Sequence, residues 1–206
     1  MRWSKRDMPI LNTPIRAALF SLIFSSSVSA GMITDEGLAP YEICGLCHSL
    51  DGVSKMAKFP KLAGQPPLYI KKQIKDFMEE KRTNDGGQMV AIMTEVDPTT
   101  IDEIAKWFAS QTAPSPEIET DLDLSLGKAL FEKQKCATCH RGVGQQAPHI
   151  PYLSAQHQPY LAKQMRDFRD GNRDNDAGQL MQNAMGPLSD EEIELISTYL
   201  ASKERN

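Results

Sequence analysis

Two copies of one cysteine motif constrain this chain more than any other feature of its sequence. Cys-x-x-Cys-His occurs at residues 44–48 and 136–140, and the two copies contain all 4 cysteines of the 206 residues. Two thiols at this spacing can each add to a vinyl group of haem, and the adjacent histidine then reaches the iron. We therefore predict two covalently bound haem c groups, with these cysteines and proximal histidines: Cys44, Cys47, His48, Cys136, Cys139 and His140.

The first thirty residues are typical of a secretory signal peptide. Arg2, Lys5 and Arg6 precede an apolar stretch over residues 17–24, and small residues follow up to Ala30. This stretch is far shorter than the roughly 20 residues that a helix needs to cross a bilayer. We expect cleavage after Ala30 and export of the chain, with no transmembrane span in the mature protein. An uncleaved anchor is the alternative.

Zinc and disulfide bonds are the other uses of four cysteines in an exported chain. A zinc site needs further cysteine or histidine ligands at matching positions in each half, and the first half contains no histidine besides His48. Two motifs with the spacing of haem attachment favour haem over both alternatives.

The charge of the chain indicates which partners to expect. Removing residues 1–30 takes away four basic side chains and one acidic side chain, so the net charge changes from −4 to −7. An acidic surface repels phosphate groups, which argues against nucleic acid as a partner. We expect redox partner proteins with basic patches, and peripheral association with a membrane is compatible with this sequence.

Much of the sequence between the two motifs is repeated, which indicates a tandem duplication. The motifs are 92 residues apart, and an offset of 91 relates a run of identical residues to their counterparts in the second half. After one extra residue, Leu180, the offset becomes 92 again, so Met89 pairs with Met181 and Met93 with Met185. The residues repeated at an offset of 91 are Pro60, Leu62, Gln65, Tyr69, Lys72, Gln73, Asp76, Phe77, Arg82, Asn84, Asp85, Gly87 and Gln88.

Apolar residues in both halves follow the period of an α-helix rather than that of a strand. Ile70, Ile74 and Phe77 are spaced i, i+4, i+7, and the final helices begin after Asp97-Pro98 in one half and at a capping box, Ser189-x-x-Glu192, in the other. We predict an all-α fold of two tandem haem-binding domains. The predicted segments are 1–30 signal peptide, 31–112 domain 1, 113–123 a proline-containing acidic linker, and 124–206 domain 2.

Each iron of a low-spin electron carrier needs a second axial ligand, and methionine raises the reduction potential. Met89 or Met93 is the candidate in the first half, and Met181 or Met185 in the second. We favour Met89 and Met181, since each lies seven residues before the leading apolar residue of the final helix. Met93 and Met185 are then packing residues.

Other residues have weaker assignments. His149 and His157 lack counterparts in the first half, so structural or solvated roles are favoured over ligation. The backbone carbonyls of Pro60 and Pro151 are placed to accept the N–H of the proximal histidine. Two pairs are candidates for bonding the haem propionates, with a solvated face and helix packing as the alternatives: Arg82 and Arg173, and Tyr69 and Tyr160.

Together these features resemble the di-haem cytochrome c4 family, whose members consist of tandem class I cytochrome c domains and belong to the bacterial periplasm. The resemblance therefore implies two tandem class I cytochrome c domains and a periplasmic location. The resemblance rests on both cysteine motifs, on residues 59–65 and 151–156, on residues 81–85 and 172–176, and on the methionine before each final helix. It implies His48 and His140 as proximal ligands, Met89 and Met181 as distal ligands, and haems that face each other across the domain interface. One departure concerns the glycine before each cysteine motif. Gly37 lies seven residues before Cys44, whereas Gly127 lies nine residues before Cys136, so we expect a truncated first helix in domain 1.

The resemblance implies an electron carrier that relays electrons from a quinol-oxidising respiratory complex to a terminal oxidase, and not an enzyme. The alternative is the di-haem subunit of a dehydrogenase, such as flavocytochrome c sulfide dehydrogenase. A haem peroxidase and a zinc-stabilised binding module are less favoured, because the first needs an open distal position and the second needs more zinc ligands.

Overall fold

The computed structural model describes residues 37–116, 123–140 and 147–205, and this part of the chain contains eight α-helices and no strand. The all-α prediction is confirmed. The predicted signal peptide lies outside the described residues. The helices are α1 Glu42–His48, α2 Pro67–Met78, α3 Gln88–Met93, α4 Ile101–Ser110, α5 Ser125–Lys133, α6 Gln158–Arg169, α7 Leu180–Met185 and α8 Asp190–Ala201.

The first half has its own apolar core, built where α2 packs against α3 and α4. The periodic residues of α2 are buried as the sequence predicts, and they meet Ile104 and Phe108 of α4, which are 1% and 0% exposed. Burying a side chain of this size stabilises a fold by about 1.5–3 kcal/mol. The helix period of the sequence therefore places the core of this half correctly.

Within the described residues, the second half also has four α-helices and repeats this arrangement, but its first helix packs against its last. Its core lies where α6 packs against α7 and α8, and α5 also packs against α8. Gly127 of α5 faces the backbone of α8 so closely that a Cβ atom there would lie 2.3 Å from the carbonyl oxygen of Leu195. Glycine at this position lets the two helix backbones approach each other.

Both final helices begin as the sequence predicts. The Asp97 carboxylate accepts a hydrogen bond from the Thr99 amide at 2.8 Å, in a 3₁₀ turn over Pro98–Thr100 that leads into α4. Ser189 and Glu192 form the complete capping box at the start of α8. The caps satisfy amide groups that otherwise lack partners in a first helical turn.

The first helices of the two halves differ. In the first half α1 begins only at Glu42 and already contains the cysteine motif, whereas α5 begins eleven residues before Cys136. Residues 37–41 form no helix, in agreement with the expected truncation. There the Tyr41 ring stacks on Trp107 of α4, with ring centroids 3.8 Å apart. In the second half, α5 covers the corresponding face of α8, the counterpart of α4.

The two halves contact each other through reciprocal pairs of glutamines. The Gln65 side chain donates to the backbone oxygen of Tyr152 at 2.9 Å and accepts from its amide at 3.0 Å. Gln156, its counterpart in the repeat, bonds the backbone of Lys61 in the same way, with both distances 2.9 Å. Lys61 and Tyr152 occupy equivalent positions in the repeat, as do Gln65 and Gln156. Each half therefore contacts the other through the same pair of positions, which is the pattern of a two-fold axis, so the halves pack with local two-fold symmetry.

None of the helices in the described ranges combines the length and the apolar character that crossing a bilayer requires.

Candidate haem sites

A histidine stands at the end of each cysteine motif and bonds a proline carbonyl. His48 is 6% exposed at the end of α1, and its Nδ1 lies 2.8 Å from the oxygen of Pro60. His140 Nδ1 lies 3.0 Å from the oxygen of Pro151. A carbonyl oxygen only accepts, so Nδ1 carries the hydrogen and the lone pair of Nε2 is left for a metal. The hydrogen bonds expected from Pro60 and Pro151 are therefore present.

Burial favours the neutral form of both histidines. It lowers the pKa of His48, and the bond to Pro60 opposes this effect only in part. The pKa of His140 is lowered for the same reason, with Pro151 in the opposing role. A neutral imidazole is the form that binds a metal ion, so the surroundings prepare both rings for coordination.

The cysteines of each motif lie in two different environments. Cys44 and Cys136 are half-buried against the two apolar cores, and Cys47 and Cys139 are exposed. Burial raises the pKa of Cys44 to about 11 and also raises that of Cys136. No disulfide bond joins any two of these four cysteines. One thiol toward the core and one at the surface suit a prosthetic group that is mostly buried and reaches the surface at one edge.

The methionine pairs separate by burial. Met93 and Met185 are 6% and 3% exposed and belong to the apolar cores. Met89 and Met181 are partly buried and pack against the edges of the same cores. Each occupies the second position of its short helix, α3 or α7. Met93 and Met185 are therefore the more deeply buried methionine of each pair.

Two aspartates bond the backbone of the partly buried methionines. The Asp85 carboxylate accepts from the Met89 amide at 2.5 Å, and Asp176 accepts from the Met181 amide at 2.8 Å. No motif in the sequence indicates a role for either residue. Their signal was the repeat itself, since Asp85 and Asp176 are identical residues at an offset of 91.

The two unmatched histidines lie in different surroundings. His149 is exposed, and His157 is buried with Nε2 3.0 Å from Ser54 Oγ and 3.1 Å from the Ser54 backbone oxygen. His157 therefore joins the two halves, in agreement with the structural role that the sequence favours.

The arginines do not lie on a solvated face, and that alternative is wrong. Arg82 and Arg173 are 6% and 7% exposed, and each lies over a phenylalanine ring of its own half. Arg82 donates to the Tyr160 hydroxyl at 3.1 Å, across the contact between the halves. Burial lowers the pKa of Arg173, and the nearby Arg82 charge lowers it further. Both side chains stay cationic, because arginine does not deprotonate in proteins.

Each half thus contains a pair of cysteines, a histidine whose Nε2 is left for a metal, and a partly buried methionine that packs against an apolar core. These are the donors that covalent haem requires, so the residues fit the group. Two helical halves of this kind define a di-haem c-type cytochrome built from tandem class I domains.

Comparisons with known proteins lead to a family. A family model for cytochrome c matches residues 124–204. Cytochrome c4 of Pseudomonas aeruginosa is 35% identical over 92% of this chain and 98% of that protein. The crystal structure of reduced recombinant cytochrome c4 from Pseudomonas stutzeri aligns with a TM-score of 0.69 and 30% identity, over 82% of this chain and 98% of that one. The chain belongs to the cytochrome c4 family.

This membership confirms the resemblance seen in the sequence. The protein is an electron carrier, and it has two covalently attached haem c groups. Another relative is the thiosulfate dehydrogenase electron acceptor of Stutzerimonas stutzeri, which is 28% identical over 91% of this chain and 92% of its own length.

Proposed function

We propose that the protein relays electrons in the periplasm between a donor respiratory complex, such as a quinol-oxidising complex, and a terminal oxidase. The observation that carries this proposal is the pair of matched donor sets, one in each half, each centred on a histidine bonded to a proline carbonyl. Two equivalent sites in one chain let one half accept an electron while the other donates. The apolar segment before Ala30 supports export.

Eight side chains hold the haems in this proposal. The cysteines would form the thioether links, the histidines would bind iron through Nε2, and the methionines would supply the second ligand to each iron. When bound, each haem supplies a reversible one-electron change at its iron. The residues are Cys44, Cys47, His48 and Met89 in the first half, and Cys136, Cys139, His140 and Met181 in the second.

The protein's own groups adjust this chemistry. The carbonyls of Pro60 and Pro151 orient the imidazoles and raise their basicity as ligands. A methionine thioether favours ferrous iron, which raises the reduction potential. The buried cations of Arg82 and Arg173 suit the haem propionates, although their contacts here are with protein oxygens.

The proposed domain bounds agree with these sites. Residues 31–112 and 124–206 each contain one complete donor set, and residues 113–123 join them. Part of this linker, residues 117–122, lies outside the described residues.

A dehydrogenase partner is the second candidate, favoured by the relative named as an electron acceptor of thiosulfate dehydrogenase. Stopped-flow mixing distinguishes the two roles. In a relay, a reduced quinol-oxidising complex reduces both haems quickly and an added oxidase reoxidises them. In the other role, rapid reduction requires a dehydrogenase and its substrate, and the quinol-oxidising complex is slow.

The ligand set is tested by mass spectrometry and by near-infrared absorption. The exported chain should carry the mass of two haems, and an unmodified mass would contradict the proposal. Met89→Leu and Met181→Leu should each remove half of the weak band that arises from methionine bound to ferric iron. Met93→Leu and Met185→Leu are matched controls that should leave the band intact. Loss of the band in these controls instead would transfer the ligand role to them.

A further inference from the structure

A short segment in each half links the methionine to the other half. The segment reads Arg-x-Asn-Asp, over residues 82–85 in the first half and 173–176 in the second. Its aspartate accepts the amide of the methionine that follows, at 2.5 Å for Met89 and 2.8 Å for Met181. A carboxylate bond of this kind is about twice as strong as a bond between neutral groups. The position of each methionine backbone therefore depends on that of the preceding aspartate.

Asn84, the residue before Asp85, is hydrogen-bonded to the second half. Asn84 Nδ2 donates to the Asp167 carboxylate at 2.5 Å and to Gln164 Oε1 at 3.0 Å. Lys163 donates to the backbone oxygen of Asn84 at 2.5 Å. All three partners lie on α6. The segment that leads to Met89 is therefore anchored on a helix of the opposite half.

The second segment is anchored on the first half in the same way. Asn175 Nδ2 donates to the Asp76 carboxylate at 2.5 Å and to Gln73 Oε1 at 3.1 Å, and Lys72 donates to the Asn175 backbone oxygen at 2.5 Å. These partners lie on α2. The two anchors are related by the same local two-fold symmetry as the glutamine pairs.

The arginines complete each anchor from within their own segment. Arg82 Nε donates to Asn84 Oδ1 at 3.0 Å, and Arg173 Nε donates to Asn175 Oδ1 at 2.9 Å. Each asparagine amide is thus bonded at both its oxygen and its nitrogen. The carboxylates that receive the nitrogen belong to Asp76 and Asp167, which are 7% and 8% exposed, so water screens these bonds little.

We infer that each half positions the methionine of the other: Asp76 on α2 positions Met181, and Asp167 on α6 positions Met89. This inference rests on the proposed function, in which both methionines bind iron. The aspartates are positioning residues, since they act through an asparagine and the next aspartate and do not touch the haem site themselves. The contact between the halves is then part of both ligand sites.

Two conservative variants of the haem-loaded protein test the inference. Asp76→Asn and Asp167→Asn keep the size of the side chain and remove the charge that strengthens the asparagine bond. One readout is the upfield methyl resonance of each iron-bound methionine in the reduced protein. The other is the alkaline pH at which the near-infrared band of the ferric protein disappears, because methionine is displaced there. Met89→Leu and Met181→Leu assign both signals to their halves.

The expected effects cross between the halves. In Asp76→Asn the methyl resonance of Met181 shifts, and displacement of Met181 becomes about tenfold more favourable, roughly the effect of one charge-assisted hydrogen bond. Met89 is unchanged. Asp167→Asn gives the reverse pattern. Lys75→Ala, an exposed change on the same helix as Asp76, is the control and alters neither signal.

Two outcomes overturn the inference. One is an effect of Asp76→Asn on Met89 only, which shows local destabilisation of its own half. The other is no effect of either aspartate variant, although Asp176→Ala, which removes the acceptor of the Met181 amide directly, does change the Met181 signal. If Met89→Leu and Met181→Leu leave the band intact, the methionine assignment of the proposed function fails instead.

Discussion

Replacing Gly127 with alanine should destabilise the second half, because the new methyl group meets the backbone of α8. Its Cβ would lie 2.3 Å from the carbonyl oxygen of Leu195 and 2.9 Å from the Tyr199 Cβ. Ordinary contacts between carbon and a carbonyl oxygen are about 3.3–3.6 Å, so α5 and α8 must separate by about 1 Å. A gap of this size forfeits up to about half of the dispersion energy of the atoms that face it.

The expected magnitude follows from two opposing effects. Overpacking in a well-packed core costs about 1–3 kcal/mol, and the upper end applies here because backbone atoms cannot rotate away. Alanine is more favourable than glycine within a helix by about 1 kcal/mol, which offsets part of this cost. The net loss is about 2 kcal/mol, which lowers the Tm of a domain of about 80 residues by about 8–16 °C.

Thermal unfolding of the haem-loaded protein, followed by circular dichroism, measures this effect. Gly186→Ala is the matched control in the same half, since its Cβ would meet nothing closer than 3.4 Å and Gly186 has φ −49° and ψ −40°. That change should be neutral or raise stability by about 0.4–1 kcal/mol. Equal melting temperatures for the two variants would show that α5 and α8 do not approach each other closely.

Three further predictions concern helix starts and the contact between the halves. Ser189→Ala removes the capping box of α8 and should lower the free energy of unfolding by about 1 kcal/mol in urea titrations, while Ser189→Asp should retain most of it. The amide and hydroxyl of Thr99 hold the pKa of Asp97 below 3.8, so this cap stabilises the protein at neutral pH and is lost as the pH falls through the lowered value. The difference in Tm between the natural protein and Asp97→Ala should therefore shrink only below pH 3.8, and a difference that already disappears at pH 5 would contradict the cap. Arg205 donates to the backbone oxygens of Ala63 in the first half, at 2.6 Å, and Ser154 in the second, at 3.2 Å. Arg205→Ala should therefore lower the free energy of unfolding by about 1.5–3 kcal/mol. An unchanged free energy would show that this contact does not hold the halves together.

Local patterns in the sequence predicted the helices and the histidine environment well. The i, i+4, i+7 spacing of Ile70, Ile74 and Phe77 identified the buried face of α2, because helix geometry relates neighbouring residues in the same way in any protein. The bond between His48 and the Pro60 carbonyl was also expected, since only twelve residues separate the two groups. Such features depend on short stretches of chain.

The location and partners of the repeated polar residues could not be predicted from the sequence. The sequence leaves a solvated face open for Arg82 and Arg173 and indicates no role for Asn84 or Asn175. The structure places these residues in the contact between the halves, bonded to partners about 80 to 100 positions away. Their identity in both copies of the repeat is the feature of the sequence that points to this contact. In a two-fold arrangement, self-complementary contacts use the same residues twice.

The sequence by itself determined the duplication, the covalent attachment chemistry and the helical class, because motif spacing and helix period are properties of neighbouring residues. It left open which methionine of each pair is buried in the core and where the polar residues shared by the two copies of the repeat lie. Tertiary structure decided both, since burial and hydrogen-bond partners depend on how helices pack across long separations in the chain. The contact between the halves belongs to this second kind of information, because no single half contains both members of any of its bonds.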